Sequence, residues 1–208
     1  MCGRYWLKDN PEELARIYGA KLISGEMKTG GEIFPSYFVP VVKAGENTGA
    51  EEELLLSPMK WGFPLKGKKS AVINARSETV TSKNMFNKKF EKQRCIVPVN
   101  GFFEWKEELD ANSKKRKIKH LFTLPGEKVF SLAGIFGEFY DEGINTYSAF
   151  VIITTEPNTV VATVHKRMPV ILPKDQEKIW LNNKEHDNQK LMELMVPYEL
   201  DILQKQLL

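Results

Sequence analysis

Arg94-Cys95-Ile96-Val97-Pro98-Val99-Asn100-Gly101-Phe102-Phe103-Glu104-Trp105 decides the fold class. Residues 94–99 form a short apolar, β-branched run that reads as a strand, and an aromatic-rich run starts at Gly101. Runs of the same kind lie on both sides, at 4–7, 38–42, 54–63, 71–74, 121–124, 129–139 and 147–155, with another leading up to Leu172. Pro40 cannot donate to a ladder, which predicts an edge or bulged strand there. Helices are fewer. Asp9-Asn10-Pro11-Glu12-Glu13 is a helix start, with a capping residue, a first-turn proline and acids near the positive end of the dipole. Further helices are expected over 84–92, 174–181 and 188–195, and the tail from Tyr198 is expected to add another. Loops are predicted over 24–32 and 66–69, with polar hairpin tips over 46–53 and 106–119. Strands outnumber helices without alternating with them. This predicts an α+β fold: a β-rich single domain over 2–208, with a mixed, barrel-like sheet, a few peripheral helices and a helical end from 173.

Composition narrows the function classes. The 208 residues are 42% hydrophobic and 27% charged, with a net charge of +3, as in a globular domain with a core of its own. The mild positive charge is compatible with a polyanion partner and does not demand one. Cys2 and Cys95 are the only cysteines, which argues against a disulfide framework or a cysteine-based metal site. Cys95, between Arg94 and Ile96, reads as a buried small hydrophobe. With no long apolar run and no signal pattern, a cytoplasmic, non-membrane monomer without metal or cofactor is expected.

Met1-Cys2-Gly3-Arg4 offers unusual chemistry. A small second residue permits removal of Met1, and residue 2 then carries a free α-amine beside a thiol. The two titrate near ~8 and ~8.5, so both have a reactive fraction at neutral pH. Such a pair condenses with an aldehyde to a five-membered thiazolidine, or acts as an amino-terminal nucleophile on acyl bonds.

Three polar residues sit in strand-like apolar contexts: Asn74 after Val72-Ile73, Glu104 between Phe103 and Trp105, and His165 after Val164. A buried polar group needs a partner. Taken singly, each has a structural explanation: Asn74 closing a turn, Glu104 pairing with Arg76 or Arg94, His165 as a satisfied core histidine. Taken with Cys2, they supply a nucleophile, an orienting amide, a carboxylate and an imidazole.

The order and spacing of Met1-Cys2-Gly3-Arg4, Asn74-Ala75-Arg76-Ser77-Glu78, Arg94-Cys95-Ile96-Val97-Pro98, Gly101-Phe102-Phe103-Glu104-Trp105, Thr154-Thr155 and His165-Lys166-Arg167-Met168-Pro169-Val170-Ile171-Leu172 resembles the SRAP family. Its members were named SOS-response-associated peptidases and are read as abasic-site processing proteins. The resemblance covers residues 2 to about 172. It implies binding of single-stranded DNA and a covalent thiazolidine between Cys2 and the aldehyde of an abasic site, protecting the lesion. Asn74 would orient the Cys2 end, Glu104 would move protons, and His165 would assist sugar ring opening and lyase-like reversal. Arg4 and Arg76 match phosphate contacts, Thr154 and Arg167 match positions along the DNA path, Pro35 and Trp61 would press on bases, and Trp105 would flank the site.

The chain departs from the family pattern in places. Glu32-Ile33-Phe34-Pro35 stands where Asn-x-Ala-Pro is usual, and a glutamate facing the groove would repel phosphate. Residue 103 is phenylalanine where tyrosine is usual, and residue 166 is lysine where acidic or polar residues are common. The basic runs at 66–69 and 114–119 read as solvated loops with some capacity for nucleic acid. His120 and His186 lack a partner pattern, and Phe86 with Phe90 reads as core. Two other functions suit the same residues: a thiol peptidase using Cys2 with Glu104 or His165 as base, including self-removal of Met1, and a non-covalent single-strand binding module.

Overall fold

A computed structural model describes residues 2–45, 53–110, 112–140, 145–185, 187–198 and 203–208. In chain order the elements are β1 (Tyr5–Leu7), α1 (Pro11–Tyr18), β2 (Ala20–Leu22), β3 (Gly31–Ile33), β4 (Phe38–Ala44), β5 (Leu54–Trp61), β6 (Phe63–Pro64), β7 (Ala71–Val72), β8 (Asn74–Arg76), α2 (Asn87–Lys92), β9 (Arg94–Val99) and β10 (Gly101–Leu109). There follow β11 (Lys115–Thr123), β12 (Phe130–Tyr140), β13 (Thr146–Thr155), α3 (Thr159–Ala162), β14 (Met168–Pro169), β15 (Ile171–Leu172), α4 (Glu177–Leu181), α5 (Asn188–Glu193) and β16 (Gln204–Leu207). His186 and most of the expected 46–53 tip lie outside the described residues.

Strands β4, β5, β13, β12 and β9 close into a mixed barrel. Four of its junctions are antiparallel, and the fifth closes it by parallel pairing of β5 with β13, Phe150 opposite Trp61. Every residue of β9 is buried, because the barrel interior covers one face while α2, α4 and β1 pack against the strand. A second sheet, in the order β16-β11-β10-β1-β3, shares one hydrophobic cluster with the barrel through Tyr5, Leu7, Phe102 and Phe122. Phe102 and Phe122 face each other across the β10–β11 ladder with stacked rings 5.1 Å apart. No helix among the described residues is long and apolar enough to cross a membrane.

The β-rich α+β class holds, and several local expectations do not. Pro40 sits inside the barrel, because β4 is flanked by both β5 and β9. It pairs with Pro58 of β5, and the β9 ladder begins at Val42, so its missing N–H costs no bond. The run over 54–63 breaks at Gly62, whose φ of +117° suits glycine. A Cβ there would lie 2.9 Å from that of Ala71. The expected hairpin over 106–119 is present, and only its extent differs: β10 and β11 pair through it from Lys106 opposite Ile118 to Leu109 opposite Lys115. The tail ends in a strand: β16 takes the edge of β11, with Lys205 opposite Phe122, so an available ladder overrides a local helix preference.

Arg94, one of the two arginines offered as a structural partner for Glu104, has another structural task. It is fully buried. Its Nε donates to the carbonyl of Trp180 at 2.7 Å, Nη1 to those of Phe90 and Glu91 at 2.7 Å each, and Nη2 to that of Asn182 at 2.5 Å. One guanidinium thus caps the last turns of α2 and α4 against β9. Arg94→Met should destabilise the protein by about 3–5 kcal/mol, since it strands several buried carbonyls at once. Urea unfolding measures this, and an unchanged midpoint would contradict the assignment.

Candidate active site

Strand β1 lies between β3 and β10, and this draws the start of the chain into the protein. The ladder continues past β1, where the amide of Phe103 donates to the carbonyl of Arg4 at 2.9 Å, so Glu104 runs beside residues 2–4. Cys2 is fully buried, with Sγ 3.8 Å from the Arg4 carbonyl. Burial pushes its thiol well up, and the charge of nearby Glu104 adds to the shift. Asn74 arrives from the other side on β8, which pairs in parallel with β13. Its Nδ2 donates to the Cys2 carbonyl at 2.9 Å, while its buried Oδ1 has no partner among the described residues.

Glu104 is 2% exposed, and burial raises its carboxyl from 4.5 to about 7. At neutral pH it is therefore divided between acid and base. Its Oε1 lies 3.8 Å from Nδ1 of His165. Asn158 caps α3 by accepting from the Val161 amide at 2.9 Å, and the His165 amide donates to the Val161 carbonyl at 2.9 Å as the chain leaves that helix. The same Nδ1 sits 3.0 Å from the carbonyl and 3.1 Å from the amide nitrogen of Arg167, so the imidazole orientation is fixed in either tautomer. Burial lowers the pKa of His165 below its ordinary value, which favours the neutral ring.

Glu104 and His165 line a cleft of about 860 Å³ together with Gly3, Arg4 and Trp105, and the buried Cys2 lies behind that lining, next to Gly3 in the chain. Lys106, Lys117 and Lys166 also line it, with Glu107; Lys166 belongs to the His165 motif and Lys117 to the 114–119 basic run, while no motif marks Lys106. Arg4 stacks between Phe34 and Trp105, its guanidinium carbon 4.2 Å and 4.9 Å from their ring centres. Glu32 clasps two cations: Oε2 lies 3.2 Å from Arg4 and Oε1 bonds Lys119. Burial works against the Glu32 anion, yet Lys119 and Arg4 hold its carboxyl below the usual range. The unusual glutamate is thus neutralised by the cations it holds.

The remaining residues singled out from the sequence divide. Arg76 is exposed at the end of β8, and Pro35 and Trp105 are half-buried. Trp61 is fully buried and cannot offer a face to a base. It packs on Tyr5 and Phe150, and its Nε1 donates to the Ile73 carbonyl at 3.0 Å, one residue before Asn74. Thr154 is also fully buried, its hydroxyl 3.4 Å from the Ala75 carbonyl. The guanidinium of Arg167 is tied to Glu78 at 2.5 and 3.0 Å and to the Thr154 carbonyl at 2.6 Å. Trp61 and Thr154 therefore serve packing, and Arg167 ties Glu78 to the Thr154 backbone.

Comparison with known proteins gives the family of the chain. The family model for SOS response associated peptidases (SRAP) matches residues 1–206. The abasic site processing protein YoqW of Bacillus subtilis is 33% identical over 213 residues, covering 97% of this chain and 89% of its own. The abasic site processing protein YedK of Escherichia coli is 27% identical over 186 residues, covering 88% of this chain and 81% of its own. A solved structure from Bacteroides thetaiotaomicron superposes with a TM-score of 0.84 at 23% identity, covering 100% of this chain and 92% of that one, a likeness of fold. The match runs through every motif gathered around the cleft, and the chain belongs to the SRAP family.

Proposed function

We propose that this protein processes abasic sites in single-stranded DNA by forming a thiazolidine between Cys2 and the sugar aldehyde, after Met1 is removed. The observation that carries this reading is the pairing of a half-ionised buried carboxyl, Glu104, with the imidazole of His165 beside the buried Cys2 end. The name shared by YoqW and YedK, abasic site processing protein, supports it.

The proton bookkeeping suits these groups. Glu104 as carboxylate accepts the proton of the sugar C1 hydroxyl. The ring C–O bond breaks, the freed oxygen takes a proton delivered on the His165 side, and C1 becomes an aldehyde. The α-amine of Cys2 attacks C1. One amine proton passes to the former carbonyl oxygen, giving the carbinolamine. Glu104, now protonated, returns its proton to that hydroxyl, which leaves as water, and the remaining N–H proton replaces the one delivered on the His165 side, leaving the neutral imine. The thiol then adds across C=N, its sulfur to carbon and its proton to nitrogen. Asn74 holds the Cys2 carbonyl throughout. In this order the thiol acts second and can keep its proton until the imine nitrogen takes it, which is compatible with a thiol whose pKa burial has raised. A thiol peptidase needs the opposite, a thiolate favoured by its surroundings. Arg4, Arg76 and the cleft lysines would meet phosphates, with Pro35 and Trp105 against bases or sugar.

Wild-type protein freed of Met1 should give a heat-stable product with abasic single strands on denaturing gels. Cys2→Ser should give one only when borohydride traps the imine, and a stable product from Cys2→Ser would overturn the thiazolidine step. The rate should climb as pH rises through about 7, where Glu104 loses its proton. Glu104→Gln should lack that rise and run roughly 10²–10⁴ slower; an unchanged pH profile would remove Glu104 from the proton path. Glu32 competes with phosphate for Arg4 and Lys119. Glu32→Gln should therefore bind single strands several-fold tighter at low salt, with a salt slope steeper by roughly 0.7 for each phosphate gained. Anisotropy titrations across salt concentrations test this, and equal slopes would contradict it.

A further inference from the structure

An aromatic groove leads away from the cleft, and no motif in the sequence pointed to it. It has a volume of about 680 Å³ and is lined by Glu26, Lys28, Ser36, Tyr37, Phe38 and Pro58. Tyr37 and Phe38 are 39% and 38% exposed, so two neighbouring aromatic side chains face outward here. The backbone holds them in place. Ser36 has a φ of +74°, the left-handed region that a side chain disfavours. Its amide donates to the Trp61 carbonyl at 2.8 Å, and the Trp61 amide donates to the Tyr37 carbonyl at 3.0 Å. Across the groove, the Lys28 amide donates to the Phe38 carbonyl at 2.7 Å. Gly25 lies so close to Pro58 that a Cβ would fall 2.8 Å from the proline ring.

A series of ring and guanidinium contacts links the groove to the cleft: Arg4 lies over both Trp105 and Phe34, and the Phe34 and Tyr37 rings are 5.7 Å apart at a tilt of 55°. Beyond the groove, the Phe38 ring is 6.1 Å from that of Tyr147, and the Lys60 ammonium sits over both. Lys28 and Lys60 give this face two cations against the one carboxylate of Glu26. Exposed aromatic faces alternating with cations, in a line leading from a site for a sugar-phosphate lesion, match the chemistry of an unpaired polynucleotide.

We infer that the groove of Lys28, Tyr37, Phe38 and Pro58 is a second nucleobase subsite. It stacks an unpaired base of the damaged strand, several nucleotides from the lesion, with Lys28 and Lys60 beside the phosphates. The inference rests on the proposed DNA-binding reading and deepens it: the protein grips the strand at two separated places.

The test is anisotropy binding of single strands carrying one tetrahydrofuran abasic analogue, which cannot crosslink. The strands are lengthened one nucleotide at a time on the 5′ side or on the 3′ side. Wild-type affinity should step up roughly tenfold at one length on one side only, as a single base reaches the groove. Tyr37→Ala/Phe38→Ala should lose the step and bind the shortest strand as wild type does. Lys28→Ala, a change at an exposed side chain, should shrink the same step. A step that survives the double substitution overturns the subsite, as does a wild type with no step on either side. Weaker binding of the shortest strand by the double variant would place these aromatics at the lesion and also overturn a separate subsite. Self-association of the wild type that the variant loses would assign the face to a second copy of the chain, against the inference. A wild type that neither binds nor crosslinks any strand would bring down the proposed function, and the subsite with it.

Discussion

The ladder that holds β1 between β3 and β10 is the constraint on which the site depends. A chain terminus is ordinarily among the least ordered parts of a domain. Here three strands and the Asn74 amide fix the backbone leading to residue 2, and the cost of ordering it is met at folding rather than during reaction. The same ladder sets Glu104 next to that backbone. The two sheets share one core, so a core change that shifts β1 against the barrel would be felt at the site.

Burial gives the polar groups their properties. Glu104 can exchange a proton at neutral pH because it sits in a low-dielectric site, where the anion is disfavoured. The Cys2 thiol is held neutral for the same reason. Around this dry centre the charges are arranged differently. Arg4 is stacked between two rings and tethered by Glu32, and Arg167 is tethered by Glu78. Each tether keeps a cation oriented in the absence of a ligand, and at Arg4 an anion must compete with a carboxylate already in place.

The parts of the fold legible in the sequence were those where one physical rule dominates. Strand β9 was read with its observed bounds because it is short, β-branched and buried on both faces. The start of α1 was legible from Asn10 and Pro11, and Asn10 does cap it, accepting from the Glu13 amide at 2.8 Å. Pro40 marks only a local edge: the β9 ladder starts beyond it at Val42, while β4 as a whole lies between β5 and β9, a placement no local rule can supply. The tail was misread because its strand depends on the open edge of β11. At the site, polar residues set into apolar runs were a sound signal: Asn74, Glu104 and His165 do gather near Cys2. Trp61 and Thr154 show the limit of carrying positions over from motifs, since which face of a strand is buried depends on closure of the barrel. Glu32 was flagged as unusual, but its partner Lys119 comes from a strand that had been read as an exposed tip. The outward faces of Tyr37 and Phe38 depend on a turn at Ser36 that composition does not reveal.

The most direct test of the central claim is to locate the covalent bond. Protein freed of Met1 would be reacted with an abasic single strand, digested with protease and nuclease, and the modified peptide sequenced by mass spectrometry. The predicted result is the peptide Cys2-Gly3-Arg4 carrying the sugar remnant with the loss of one water and no free thiol. A remnant on a lysine, or on a Cys2 peptide whose thiol still reacts with an alkylating agent, would contradict the account.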